Sequence, residues 1–195
     1  DQASDRVHWA LGPSAPERCS DALLERTADL SARYDIPVYT HIYESKGMTL
    51  QARREYADRQ GSLIRRLQDI GALGPRMNLA HSVWMLDDEI ELLAETSTNV
   101  VINPLSNMKL KSGIPPIRAF QKAGLTLGLG CDNCSCSDAQ NMFQAMKLFA
   151  GLAAVSDPEP GPPTAADTLH IATLGGARAL GLGDDIGSLE PGKMA

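Results

Sequence analysis

Four side chains occupy comparable places along this sequence. His41 follows the apolar run Ile36-Pro37-Val38-Tyr39-Thr40, and Glu44 lies three residues further on. His81 follows Met77-Asn78-Leu79-Ala80, and Asp132 follows Leu125-Thr126-Leu127-Gly128-Leu129 after Gly130-Cys131. Imidazole and carboxylate groups suit Zn²⁺ or Fe²⁺, and a catalytic metal keeps one position open for water. The metal lowers the pKa of that water to about 7. Hydrolytic deamination then needs three proton movements: water loses one, a ring nitrogen gains one, and the leaving amine gains one. Glu44 could carry the proton between water and ring. Asp132 could bind the metal and accept the water proton, and His81 could polarise the substrate or position the water. Taken singly, each residue has a plain structural reading: a surface or packed histidine, a helix cap, a solvated carboxylate. Their repetition at strand ends is the informative feature, because the strand ends of a parallel barrel open into one mouth.

The elements that must position these groups read as strand, turn and helix, repeated. The apolar runs are near-continuous, as in strands covered on both faces. The expected strands are Val7–Leu11, Ile36–Thr40, Met77–Ala80, Asn99–Ile102 and Leu125–Leu129. Ser20 is expected to cap a helix through Leu23, Leu24, Ala28 and Leu30. Residues 50–69 read as one long helix, and Asp87-Asp88-Glu89 opens another. Ser137-Asp138-Ala139-Gln140 reads as a capping box ahead of Met142, and Thr164–Asp167 as a looser one. The proline-rich stretch 156–163 is the one clear breaker. Five such strands imply a parallel sheet, in an open doubly wound form or as part of a (β/α)₈ barrel. Gly12-Pro13-Ser14-Ala15-Pro16 after the first strand is not a dinucleotide-binding Gly-x-Gly-x-x-Gly.

Composition narrows the class. The chain has 195 residues, 43% apolar and 22% charged, with a net charge of −6. That is an ordinary globular composition, long enough for a hydrophobic core. No basic stripe suggests nucleic acid, and no apolar run approaches the ~20 residues of a membrane span. The N-terminal residues have neither the basic start nor the apolar run of a secretory signal. Three of the four cysteines, Cys131, Cys134 and Cys136, cluster within six positions, with Cys19 distant. This spacing does not match a disulfide framework and points to a reducing compartment, the cytoplasm. A cysteine metal or redox site there would need a second ligand pair, so small cysteines in a tight loop are the plainer reading. His8 and His170 both read as packed residues. The chain opens without Met and closes on Gly192-Lys193-Met194-Ala195, which suggests a piece of something longer.

Several segments resemble the branch of the amidohydrolase superfamily that contains cytosine deaminase, S-adenosylhomocysteine deaminase and triazine hydrolase. Thr40-His41-Ile42-Tyr43-Glu44-Ser45 is similar to its His-x-x-Glu strand end, and Leu79-Ala80-His81 to the next strand's histidine. Asn103-Pro104-Leu105-Ser106-Asn107-Met108-Lys109-Leu110 and Gly128-Leu129-Gly130-Cys131-Asp132 match two further segments. Ala172–Ala177 and Ile186–Lys193 resemble the closing helix and the return to a small β domain.

The resemblance implies an incomplete (β/α)₈ barrel comprising strands 4–8 with their helices over residues 1–185, with 186–195 beginning the β domain. It implies one divalent metal, Zn²⁺ or alternatively Fe²⁺, a heterocyclic small-molecule substrate, and hydrolysis of a carbon–nitrogen bond. In it His41 and Asp132 ligate the metal, Glu44 shuttles the proton, His81 binds substrate or orients water, and Asp132 also acts as base.

Two departures qualify the resemblance. No His-x-His, the family's further pair of ligands, occurs in this chain. The 195 residues alone are therefore expected to hold metal poorly and not to turn over. Ser14 stands where the family often has Pro-His-Ala-Pro, and the loss of that histidine points away from an adenosine-like substrate. The Cys134-Ser135-Cys136 loop likewise replaces Ala-Ser-Asn. Alternatives at this level are a non-catalytic binding protein on the same barrel, and a hydrolase releasing chloride or alkylamine. Exposed sheet edges leave a homo-oligomer open.

Overall fold

A computed structural model describes residues 7–156, 161 and 163–194. Four strands form one parallel sheet in sequence order: β1 (Val38–Ile42), β2 (Met77–His81), β3 (Asn99–Ile102) and β4 (Leu127–Leu129). Tyr39, Asn78 and Asn99 lie in register, and one layer higher so do His41, Ala80, Val101 and Gly128. The alternate residues, among them Val38, Ile42, Leu79, Val100, Ile102 and Leu129, are buried in the main core. Strand side chains point alternately to opposite faces, so His41 belongs to the face that carries Tyr39, not to the face packed into that core. The polar lower layer is satisfied internally. Asn99 Nδ2 donates to Pro75 O at 2.8 Å and to Asn78 Oδ1 at 3.2 Å, and Asn78 Nδ2 donates to Val38 O at 3.2 Å.

The helices follow their caps. Ser20 Oγ accepts Leu23 N–H at 3.3 Å and starts α1 (Asp21–Tyr34), as expected. The expected single helix over 50–69 is instead two, α2 (Lys46–Glu55) and α3 (Leu63–Asp69), joined by a 3₁₀ turn at Ala57–Arg59. Gln60 and Gly61 take φ of 56° and 72° there. A Cβ on Gly61 would lie 2.9 Å from Arg53 O, so the chain can reverse here only on a glycine. Ser62 then caps α3 afresh, accepting Arg65 N–H at 3.1 Å.

After β2 come α4 (Asp87–Glu95), then β3, then α5 (Pro104–Lys109) and α6 (Ile117–Lys122). Beyond β4 lie α7 (Cys134–Ser137), α8 (Met142–Ser156), α9 (Ala165–His170), a π-helical turn at Ile171–Gly175 and α10 (Gly176–Ala179). The cap expected at Ser137 is displaced. Residues 134–137 form their own short turn, and Asn141 Oδ1 accepts Gln144 N–H at 3.2 Å at the start of α8. Thr164 and Asp167 form the reciprocal capping box of α9. Of the expected breaker, residues 157–160 and 162 lie outside the described residues.

The first expected strand, Val7–Leu11, does not form. Only Leu11 pairs, through a single bridge to Val38 with Tyr39 N–H donating to Leu11 O at 2.8 Å. Val7 and Trp9 are exposed, as is His8, and of the apolar run only Leu11 packs against the core. His170 is likewise exposed, on the outer side of α9. Among the described residues the sheet therefore has four strands and one bridge, not five strands.

The exits of β1 and β2 are joined by a buried carboxylate. Glu89, on α4, is 1% exposed. Its Oε1 accepts from Tyr43 Oη at 2.6 Å, Ser62 Oγ at 2.6 Å and Arg53 Nη1 at 2.7 Å. Its Oε2 accepts from Arg53 Nη2 at 2.7 Å and Leu86 N–H at 3.0 Å. The Arg53 guanidinium also lies 4.6 Å from the Tyr43 ring centre. Burial, then the Glu89 charge, push the Tyr43 phenol well above its ordinary range, so it stays protonated and donating.

Breaking a buried ion pair from one side leaves a charge uncompensated, at about 3–5 kcal/mol. Glu89→Ala is expected to cost that much in urea unfolding; a loss below about 1 kcal/mol would show that this network does not anchor the fold. The α9 cap gives a pH-dependent companion. Hydrogen bonds from the Thr164 N–H and hydroxyl hold the Asp167 carboxyl below its ordinary range. A depressed pKa contributes stability above the unfolded value of about 3.9, lost as pH falls through the folded value. The stability gap between wild type and Asp167→Ala should therefore narrow between pH 7 and pH 3, read from urea midpoints.

Candidate functional site

Three of the four candidate side chains converge where the strands end. His41 is the fourth residue of β1, and His81 is the last of β2. Their rings stack with centres 5.4 Å apart at 18°. His81 Nε2 lies 3.9 Å from Asp132 Oδ2, in the loop after β4. Glu44, two residues past β1 and half-buried, stands at the same end but makes no hydrogen bond or ion pair among the described residues.

The backbone around these groups is bent to present them. Tyr43, His81, Ser82 and Asp132 all take positive φ, of 48°, 70°, 52° and 60°. Non-glycine residues in this region carry strain of about 1–3 kcal/mol each and persist only where surroundings over-determine them. Here Tyr43 is held by Glu89, and Ser82 by N–H donation to Ile42 O at 3.1 Å and Oγ donation to Leu79 O at 3.2 Å.

The protonation pattern of His41 follows from its partner. The Ser14 carbonyl accepts both the His41 backbone N–H at 3.1 Å and a hydrogen bond from Nδ1 at 2.6 Å. A carbonyl can only accept, so Nδ1 carries the hydrogen and Nε2 keeps its lone pair. That loop is anchored in turn by buried Arg66, which donates to Pro16 O at 2.6 Å, Cys19 O at 2.8 Å and Asp21 Oδ1 at 2.6 Å.

The Asp132 carboxyl is held below its ordinary range. Its partial burial acts against this and is outweighed by Ser106, the Asn133 N–H and the two imidazoles. Asn133 N–H donates to Oδ1 at 2.7 Å. Ser106 Oγ is buried without a partner in hydrogen-bond geometry, so it acts on Asp132 as a nearby hydroxyl dipole, not as a formed bond. Asp132 therefore stays charged at neutral pH.

This donor set is the share of a metal site that these elements can supply. His41 presents a free Nε2 fixed by a second bond at Nδ1, as metal-binding histidines do, and Asp132 presents a charged oxygen. Among the described residues, no three His, Cys, Asp or Glu side chains are grouped closely enough to enclose an ion. The cysteines add nothing to it: Cys134 is exposed, Cys131 and Cys136 half-buried, and all are free thiols. A cleft at the opposite end of the sheet is lined by Trp9, Tyr34, Tyr39 and Arg76. Its two strong charges, Arg76 and Asp35, are already paired with each other at 3.1 Å. The strand-end cluster is thus the candidate site. It also contains a residue not singled out from the sequence: buried Asn107, whose Oδ1 lies 2.8 Å from His81 Nδ1.

The model of the amidohydrolase family matches residues 1–195. The chain belongs to the amidohydrolase family. It is 39% identical over 193 residues to a 5'-deoxyadenosine deaminase of Methanothermobacter thermautotrophicus, covering 99% of this chain and 44% of that protein. It is 37% identical to a 5-methylthioadenosine/S-adenosylhomocysteine deaminase of Syntrophobacter fumaroxidans, covering 97% and 42%. Among solved structures, an adenosine deaminase from Xanthomonas campestris with bound zinc superposes with a TM-score of 0.93 at 36% identity, over 100% of this chain and 44% of that one. A triazine hydrolase variant superposes at 0.86 with 29% identity, over 97% and 43%. The chain thus spans less than half the length of the curated relatives it matches.

Gly130 shows how tightly this family member packs behind Asp132. A Cβ there would stand 2.2 Å from Asn103 Oδ1, and Asn103 is buried. Gly130→Ala must displace one or the other, and overpacking of this kind costs about 1–3 kcal/mol. Urea unfolding should show that loss, whereas Gly151→Ala, with open space around it, should not destabilise.

Proposed function

We propose that the whole protein is a metal-dependent aminohydrolase that removes ammonia from a nitrogen heterocycle. The observation that carries this reading is the convergence of His41, His81 and Asp132 at the strand ends, with His41 Nε2 left free by the Ser14 carbonyl. The described strands would be part of the barrel, strands 4–8 counting the Leu11 bridge, with residues 1–185 its C-terminal portion and 186–195 the start of a β domain. The zinc in the neighbouring adenosine deaminase supports a divalent metal here, zinc or alternatively iron.

A divalent ion bound at this end supplies Lewis-acid activation of water. His41 and Asp132 would hold it, with the remaining donors outside this set. Asp132, charged at neutral pH, would accept the proton of the attacking water. Glu44 would deliver a proton to the ring nitrogen next to the attacked carbon. A carbon–oxygen bond would form, the proton taken up by Asp132 would pass to the leaving nitrogen as the carbon–nitrogen bond breaks and ammonia departs, and Glu44 would recover a proton from the new hydroxyl as it becomes a carbonyl. His81 would orient the water or polarise the substrate.

The relatives at 34–39% identity are named for adenosine-type nucleosides, which favours an adenine nucleoside and weighs against the inference from Ser14. Ser14 is exposed and acts on the site through its main-chain carbonyl. The similarity to triazine hydrolase keeps triazines in the test. The cysteine spacing supports a cytoplasmic enzyme. No helix among the described residues is long and apolar enough to cross a membrane.

The test is ammonia release by the zinc-loaded full-length protein from purine nucleosides, pyrimidines, pterins and triazines. Activity on one class is expected, with His41→Ala and Asp132→Ala each losing both the metal and at least ~10²-fold in kcat/KM, about 2.7 kcal/mol of transition-state stabilisation. A metal-free, inactive protein indistinguishable from both variants would instead support the binding-protein reading on the same fold.

A further inference from the structure

Asn107 makes a contact that the reading above leaves unused. It lies on α5, is fully buried, and places Oδ1 2.8 Å from His81 Nδ1. His81 is itself 1% exposed, so water cannot take over that hydrogen bond. Asn107 Nδ2 is buried with no partner. A buried amide with one end unpaired is costly, and the other end must account for its place.

Across the ring, Nε2 stands 3.9 Å from Asp132 Oδ2. A proton between a histidine nitrogen and a carboxylate would draw the two to about 2.7–2.9 Å. At 3.9 Å Nε2 makes no direct hydrogen bond to Asp132, and an amide oxygen can only accept, so the Asn107 contact puts the hydrogen on Nδ1. Nε2 then keeps its lone pair on the side of the ring that faces Asp132.

Resting on the assignment of His81 to the site, we propose that Asn107 is a positioning residue that fixes the His81 ring in its Nδ1–H tautomer and keeps the Nε2 lone pair on the side facing Asp132. It acts through His81 and touches no reacting atom.

The experiment is ¹⁵N imidazole NMR of the full-length, zinc-free protein, with turnover of the zinc-loaded protein measured alongside. In the wild type His81 is expected in the Nδ1–H form. Asn107→Leu keeps the volume without an acceptor. It should give mixed tautomers and lower kcat about 10–100-fold, the size of effect that loss of a histidine-orienting partner has in metal sites, with KM changed less. Asn107→Asp keeps an oxygen at that place and should retain the proton on Nδ1. An Nε2–H tautomer in the wild type overturns the proposal, as does an unchanged tautomer and kcat in Asn107→Leu. If Asn107→Leu does not fold, the wild-type and Asn107→Asp signals decide the matter. The tautomer is read without turnover, so a protein inactive on every heterocycle would sink the proposed function and leave this test intact.

Discussion

The carboxylate of Glu89 is buried with five donors around it, from Tyr43, Ser62, Arg53 twice and the Leu86 backbone. A charge withdrawn from water is tolerated only when its lone pairs are satisfied in this way. The donors come from the loop after β1, the two helices that follow it and the turn after β2. Satisfying one carboxylate thus locks the exits of two neighbouring strands to each other. Tyr43 occupies the strained position between His41 and Glu44, so its anchoring sets how the chain leaves β1. The geometry at the mouth is inherited from a hydrogen-bonded network on the opposite side of the same loop.

Around the site, polarity is arranged by directional partners more than by charge pairs. The Ser14 carbonyl decides which His41 nitrogen carries hydrogen, and the entry loop holding that carbonyl is tied down by Arg66. Asp132 stays ionised through a backbone N–H, a hydroxyl dipole and two imidazoles, against the penalty of partial burial. Its positive φ turns the carboxylate back over the end of the sheet, and only glycine at position 130 leaves room for that loop beside Asn103. Strain at 81, 82 and 132 is sustained because neighbouring strands and helices fix both ends of each loop.

Much of this was legible in the sequence, for definite reasons. Strands β1 to β4 begin within two residues of their apolar runs, because burial on both faces demands continuous hydrophobicity. Ser20 and Thr164 cap helices as their types suggest. The failures have physical causes. The apolar spacing of Leu63, Ile64 and Leu67 fits a helix but says nothing of where that helix starts, and the left-handed Gln60-Gly61 pair resets it. Val7–Leu11 has a strand's composition without a strand's neighbours. Glu89, Asn107 and Ser106 were invisible as interior residues, because polarity reads as surface until the partners are known. The histidines and Asp132 were found because recurrence at strand ends is a feature of order along the chain, which sequence preserves.

The same arrangement couples the proposed ion to the fold. His41, His81 and Asp132 come from three separate strand ends, and the entry loop and α5 hold two of the rings. An ion that binds His41 and Asp132 only when they are assembled would stabilise the native state by mass action, in proportion to the logarithm of its concentration over Kd. Binding would also draw on conformations that the protein already strains to hold. The cost of four left-handed residues would then be offset when the ion is present, and the site would be most demanding on the fold when empty. Such a site favours rigid support from behind, and that is the role the Glu89 network and the Asn107 amide occupy.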